Sequence, residues 1–106
     1  MTYRPAVLTL AVTGDAPGIW QTNGLADSTD LWGIWHGRIA PHGAVAFRVS
    51  HIPTGCTNRD AFATEADAKA WCAARMGDEW RTKSPGRLVI LRARETAKDR
   101  VTVPNP

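Results

Sequence analysis

Histidine and cysteine are the side chains best suited to metal or nucleophilic chemistry, and His36, His42, His51 and Cys56 fall within 21 residues of this 106-residue chain. A zinc site built from them would need a close pair of ligands, such as C-x₂-C or H-x₃-H. The chain has neither, so no metal is expected. Cys56 with His51 and Asp60 has the residue types of a nucleophile, a base and an orienting group. Such a triad needs fixed hydrogen-bond geometry, which neighbours on one Gly/Pro loop do not supply. There is no G-x-S-x-G elbow. "TGDAPG" and "GCTNRD" lack the phosphate-loop pattern with its following helix. No cofactor and no enzymatic activity are expected.

The residues that remain are aromatic and basic. "DLWGIWHGRI", Asp30 to Ile39, packs two tryptophans, a histidine and an arginine into ten residues. On a strand, alternation puts Trp35 and Ile39 on one face and Trp32, His36 and Arg38 on the other. If Trp35 faces the core, Trp32, His36 and Arg38 lie on the far face, joined by Arg48 of the next strand. Arg92 and Arg94, near the end of a last strand, would extend the patch. Tryptophan beside arginine suits base stacking and phosphate contact. The opposite phase buries Trp32 and Ile34. A third arrangement buries both tryptophans, one on each side of a sheet covered twice. The sequence leaves the three open.

Charge is uneven. The net charge is +3, with −1 over residues 1–70 and +4 over residues 71–106. That asymmetry fits a polyanionic partner as well as it fits a solvated basic surface. No apolar run approaches the ~20 residues that span a bilayer. "MTYRPAVLTLAV" lacks the basic start, long apolar stretch and small-residue cleavage site of a secretory leader. A cytoplasmic protein with no membrane association is expected. Cys56 and Cys72 make no disulfide framework. Cys72 reads as a small core residue of a helix.

The elements that would carry these residues follow from pattern. "AVLTLAV", Ala6 to Val12, reads as a strand closed by turn residues. Residues 13–29 read as a long loop. Asp30–Ala40 and Ala44–Ser50 make a hairpin around "PHG". Pro53–Asp60 is a loop. Thr64 is placed to cap a helix from Glu65 to about Trp80, with Glu65 and Asp67 in its first turn. Gly77 weakens that helix or ends it. Its large stripe, Ala68, Trp71, Cys72 and Met76, should face the sheet, and its alanine stripe should stay exposed. Arg87–Glu95 reads as a strand. The expected fold is α+β: a small, mostly antiparallel sheet in the order β-β-β-α-β, with one helix on one face. Residues 1–95 form the domain and residues 96–106 a flexible tail. Trp35, Phe47, Trp71 and Leu88 are expected to share one core.

Trp35, Ile39, Phe47, Phe62, Thr64, Ala68 and Trp71 together resemble the three-strand-plus-helix domains of the AP2 and integrase arm-binding type, over about residues 31–80. In those domains a sheet enters the DNA groove and a helix braces it. The resemblance implies nucleic-acid binding. The longer loop at Pro53–Ala61 and the extra strand after the helix depart from that pattern. Two functions follow. The first is a small non-enzymatic nucleic-acid-binding protein, of phage or mobile-element type, acting through Trp32, His36, Arg38, Arg48, Arg92 and Arg94. The second is an inhibitor or adaptor that blocks a surface of a host protein complex, as anti-defence proteins of the anti-CRISPR kind do. No small-molecule substrate is implied by either.

Overall fold

The computed structural model describes residues 2–12, 18–38, 44–58, 60–77, 80 and 103–104. The fold is α+β, a curled and mostly antiparallel sheet with one helix on one face. Five strands follow chain order: β1 (Tyr3–Val12), β2 (Gly18–Asp27), β3 (Trp32–Gly37), β4 (Ala46–His51) and β5 (Cys56–Thr57). Helix α1 spans Glu65–Ala73, and β6 (Val103–Pro104) pairs in parallel with β2 at Trp20 and Gln21. The expected strand Arg87–Glu95, with Leu88, Arg92 and Arg94, lies outside the described residues, as do Ile39 and His42.

β2 corrects the expected loop over residues 13–29. Its polar run Gln21–Asn23 and its glycines disguise a strand of ten residues paired along its full length with β1. The alternation is present in small residues. Gly24 and Ala26 point inward, while Gln21 and Asn23 are exposed. Small residues are required there because Leu8 lies across them. A Cβ on Gly24 would meet the Leu8 side chain at 2.7 Å and run into the carbonyl oxygen of Ile34. A Cβ on Gly33 would meet Leu8 at 2.7 Å.

The phase of β3 is the third of the arrangements open to the sequence. Trp32 and Trp35 are both buried, at 3% and 2% exposure, on opposite faces. Trp32, Ile34 and Val49 pack under α1 with Ala68, Cys72, Phe47 and Trp71. Trp35 packs with Leu8 and Leu10 on the far face. The single core expected for Trp35, Phe47 and Trp71 is therefore two cores separated by the sheet. The reason is the curl: β1 comes near β5, so the face away from the helix is covered as well.

Thr64 caps α1, its Oγ1 accepting from the Asp67 N–H at 3.1 Å. The helix ends at Ala73, short of the expected Trp80. At about 100° per residue, an unbroken helix would turn Trp80 to the side opposite Trp71. Breaking the helix instead brings both rings onto Trp32, at centroid distances of 4.9 Å and 5.5 Å. Ala68 and Cys72 are buried against the sheet, and Ala66, Ala70, Ala73 and Ala74 face outward, as their spacing predicts.

Thr64→Ala should lower unfolding free energy by about 1 kcal/mol, read from denaturant midpoints. Gly24→Ala, which forces overpacking against a main-chain carbonyl, should cost about 1–3 kcal/mol. A wild-type midpoint in Gly24→Ala would be incompatible with the observed approach of Leu8.

Candidate functional site: a groove beside the first strand

The turn from β2 to β3 is organised by Asp27. Its carboxylate is fully buried and accepts from the N–H and hydroxyl of Thr29 and from the Trp32 N–H, at 2.5–2.6 Å. Asp30 adopts a positive φ of 56°, a conformation aspartate tolerates better than most residues. This places Asp30 beside Arg4, with which it forms a half-exposed ion pair. Arg4 also donates to the Asp27 carbonyl at 3.2 Å.

That ion pair stands at one end of a groove of about 430 Å³ on the far face of the sheet. Leu8, Leu10, Ala26 and Ile52 form its apolar lining, with the Ser50 hydroxyl among them. Ser50 Oγ accepts from Trp35 Nε1 at 2.8 Å and lies 2.7 Å from the Thr57 hydroxyl. The polar lining is thus already satisfied internally. Val7 and Thr9 also border the groove. Their side chains alternate to the helix-side face, so what they offer the groove is main chain.

Ser28 N–H donates to the Thr2 carbonyl, and the register pairs Arg4 with Ala26 and Ala6 with Gly24. In an antiparallel pair, hydrogen-bonded and non-bonded residues alternate. The even residues of β1 therefore bond to β2. Val7, Thr9 and Ala11 turn their N–H and C=O groups outward. Pro5 shares this outward row, and its missing N–H costs the sheet nothing there. Among the described residues, β1 is paired on one side only.

The structure does not bring the sequence-predicted binding residues onto one face. Trp32 is sealed under α1, with Nε1 donating to the Arg75 carbonyl at 2.7 Å. His36 is exposed on the helix-side face against Phe47, at 4.7 Å between ring centroids. Arg38 follows β3 and is half-buried. Arg48 is buried on the opposite face across from Trp35, donating to the Ala44 carbonyl at 2.9 Å. The phase of β3 separates it from Trp32: Phe47 and Val49 face the helix as expected, but Trp32 faces it too, and Trp35 shares the Arg48 face. Only His36 of these is well exposed, and Arg92 and Arg94 lie outside the described residues.

The Cys56, His51 and Asp60 set is not assembled for nucleophilic attack. His51 Nε2 donates to the Trp80 carbonyl, which leaves Nδ1 to accept from the Thr54 hydroxyl at 2.8 Å. Both nitrogens are committed, and burial pushes the Cys56 thiol above its ordinary pKa. The groove escaped the sequence because it is made by curl. Its one sequence signal is the uncharged run Ala6–Val12 beside glycines that leave room for it.

The chain matches no protein-family model, and no curated protein or solved structure matches it.

Cys72 is fully buried beside Tyr3 under α1. Burial pushes its thiol from 9.0 up to about 12, and the Asp27 charge adds to the rise. A raised folded pKa means the folded state keeps a proton that the unfolded chain releases. Stability from this group is therefore full below pH 9 and is lost as pH rises toward 12. Cys72→Ala should flatten that alkaline decline in urea midpoints measured over this window. An equally steep decline in the variant would assign it to other groups.

Proposed function

We propose that the protein is a non-enzymatic binding module that engages a protein partner through the groove beside β1. The observation carrying this reading is the coincidence of an apolar lining with a strand edge that, among the described residues, no other strand pairs. Leu8, Leu10 and Ile52 offer apolar contact, and Val7 and Thr9 offer main-chain groups to an extended segment. The satisfied hydroxyls of Ser50 and Thr57 and the committed ring nitrogens of His51 favour occupancy over chemistry. An inhibitor or adaptor needs no more than this, because blocking a surface is a matter of shape and buried apolar area.

Nucleic-acid binding is the second reading, supported by the net charge of +3 and its concentration in residues 71–106. It has lost the stacking tryptophan on which it leaned, since Trp32 is 3% exposed. His36 and Arg38 are what it retains on the described surface.

A random heptapeptide library displayed on phage and panned against the protein separates the two. Selected peptides should be rich in alternating apolar residues and bind with little salt dependence. Ile52→Arg, which puts charge into the half-buried groove wall, should weaken them about tenfold or more. DNA or RNA binding whose affinity falls with salt by about 0.7–0.9 per phosphate contact, untouched by Ile52→Arg, would overturn the groove reading in favour of the second.

A further inference from the structure

The groove beside β1 is charged at one end only. Among its described lining residues Arg4 and Asp30 alone carry charge, and the rest of the wall is apolar or hydroxyl-bearing. A charge on the occupant is therefore met at that end or nowhere. The balance there is not neutral, because two carboxylates and one guanidinium share the turn. Arg4 is paired with Asp30 and donates to the Asp27 main-chain carbonyl at 3.2 Å. The Asp27 carboxylate accepts only from neutral groups, the N–H and hydroxyl of Thr29 and the Trp32 N–H. No second cation is paired with either carboxylate among the described residues, so the turn keeps an excess of one negative charge. The whole lining also comes from residues 1–70, the part of the chain with a net charge of −1.

We infer that the partner segment in the groove carries a lysine, whose ammonium binds Asp30 at this end while its stem and the neighbouring apolar residues lie on Ala6, Ala26, Leu8 and Leu10. The inference rests on the groove reading and names the chemistry of its occupant. Asp30 is held for such a contact. Its N–H donates to the Asp27 carbonyl at 3.0 Å and its φ is 56°, so the turn fixes its backbone. Its side chain is 57% exposed, and among the described residues nothing donates to Oδ2. With Oδ1 already held by Arg4, a second guanidinium cannot take both oxygens as its fork requires, whereas an ammonium is a point charge that needs only one. A lysine also covers apolar surface with its stem and keeps its head in water, as a half-exposed carboxylate at a groove end demands. A carboxylate drawn to Arg4 would stand against Asp30, which the turn keeps in place. Arg4 and Leu10 are six residues apart along one face of β1, about 20 Å, the reach of an extended segment of about seven residues.

The heptapeptide library, panned on the wild type and on Asp30→Asn and sequenced before and after selection, tests this. Asparagine tolerates a positive φ as aspartate does, so the variant should keep the wild-type thermal midpoint. Peptides selected on the wild type should carry lysine at one end above its frequency in the unselected library, and in excess of arginine. Peptides selected on Asp30→Asn should keep the apolar pattern and lose the lysine. The affinity of one selected peptide should fall about two- to fivefold on Asp30→Asn, the size an exposed ion pair permits. On Arg4→Gln it should rise, because the competing cation is gone. Selection of aspartate or glutamate at that end, a lysine preference unchanged on Asp30→Asn, or an affinity that falls on Arg4→Gln would overturn the proposal. Each of these leaves the apolar pattern and its loss on Ile52→Arg standing. A library that yields no apolar pattern on either protein removes the groove reading and the lysine with it, so the two failures are told apart.

Discussion

Leu8 lies across the main chain of the two neighbouring strands, and most of the architecture depends on that approach. It is possible only because β2 and β3 present Gly24 and Gly33 beneath it, where any Cβ would collide. A sheet that lets a side chain sink this far into its neighbours curls toward that side. The curl brings β1 near β5, covers Trp35 and leaves β3 buried on both faces. The groove is the space that remains where the curl does not close. Its apolar lining is made of the leucines that produce the curl.

The opposite face is held by a different logic. Trp32 is the hub, touched edge-on by His51 and Trp71 and tilted against Trp80. The Trp32 indole N–H is satisfied by the Arg75 carbonyl, and the His51 nitrogens by Thr54 and Trp80. Arg75 also stacks over Trp71 at 4.1 Å, so the end of the helix is tied down by main chain and side chain together. Asp27 connects this face to the turn before β3, because its carboxylate fixes the Trp32 N–H and with it the start of the strand. A buried carboxylate with three donors is costly to disturb, since removing it leaves those donors unpaired.

What could be read from the sequence divides along local and non-local lines. The Thr64 cap, the helix face and the hairpin around Trp35 and Phe47 are set by neighbours within a few residues, and their patterns give them directly. β2 was hidden because Gln21, Asn23 and Gly24 have poor strand propensity, which pairing on both edges overrides. The phase of "WGIW" was open because large residues sit on both sides of the alternation. Only the covering of the far face by β1, a contact distant in sequence, makes both phases buried. The groove was illegible for the same reason. It has no motif, and it exists only once Leu8, Ala26 and Ile52 have come together from three parts of the chain. The arginine patch shows the converse error. Arg48 lies opposite the helix as its own alternation predicts, but Trp32 and His36 were set beside it by a β3 phase that the structure reverses.

The five strands of the meander lie side by side in the order in which they are synthesised. Each finds its neighbour across a short connection, so most sheet contacts close small loops, an arrangement associated with rapid folding. Leu8 is the exception. It leaves water only when β3 arrives to place Gly33 beneath it, so a nascent chain carries an uncovered, uncharged β-strand until then. The interval between making β1 and making β3 is the window in which this sequence is most exposed to aggregation, and a chaperone that holds extended apolar segments would find its target at Ala6–Val12.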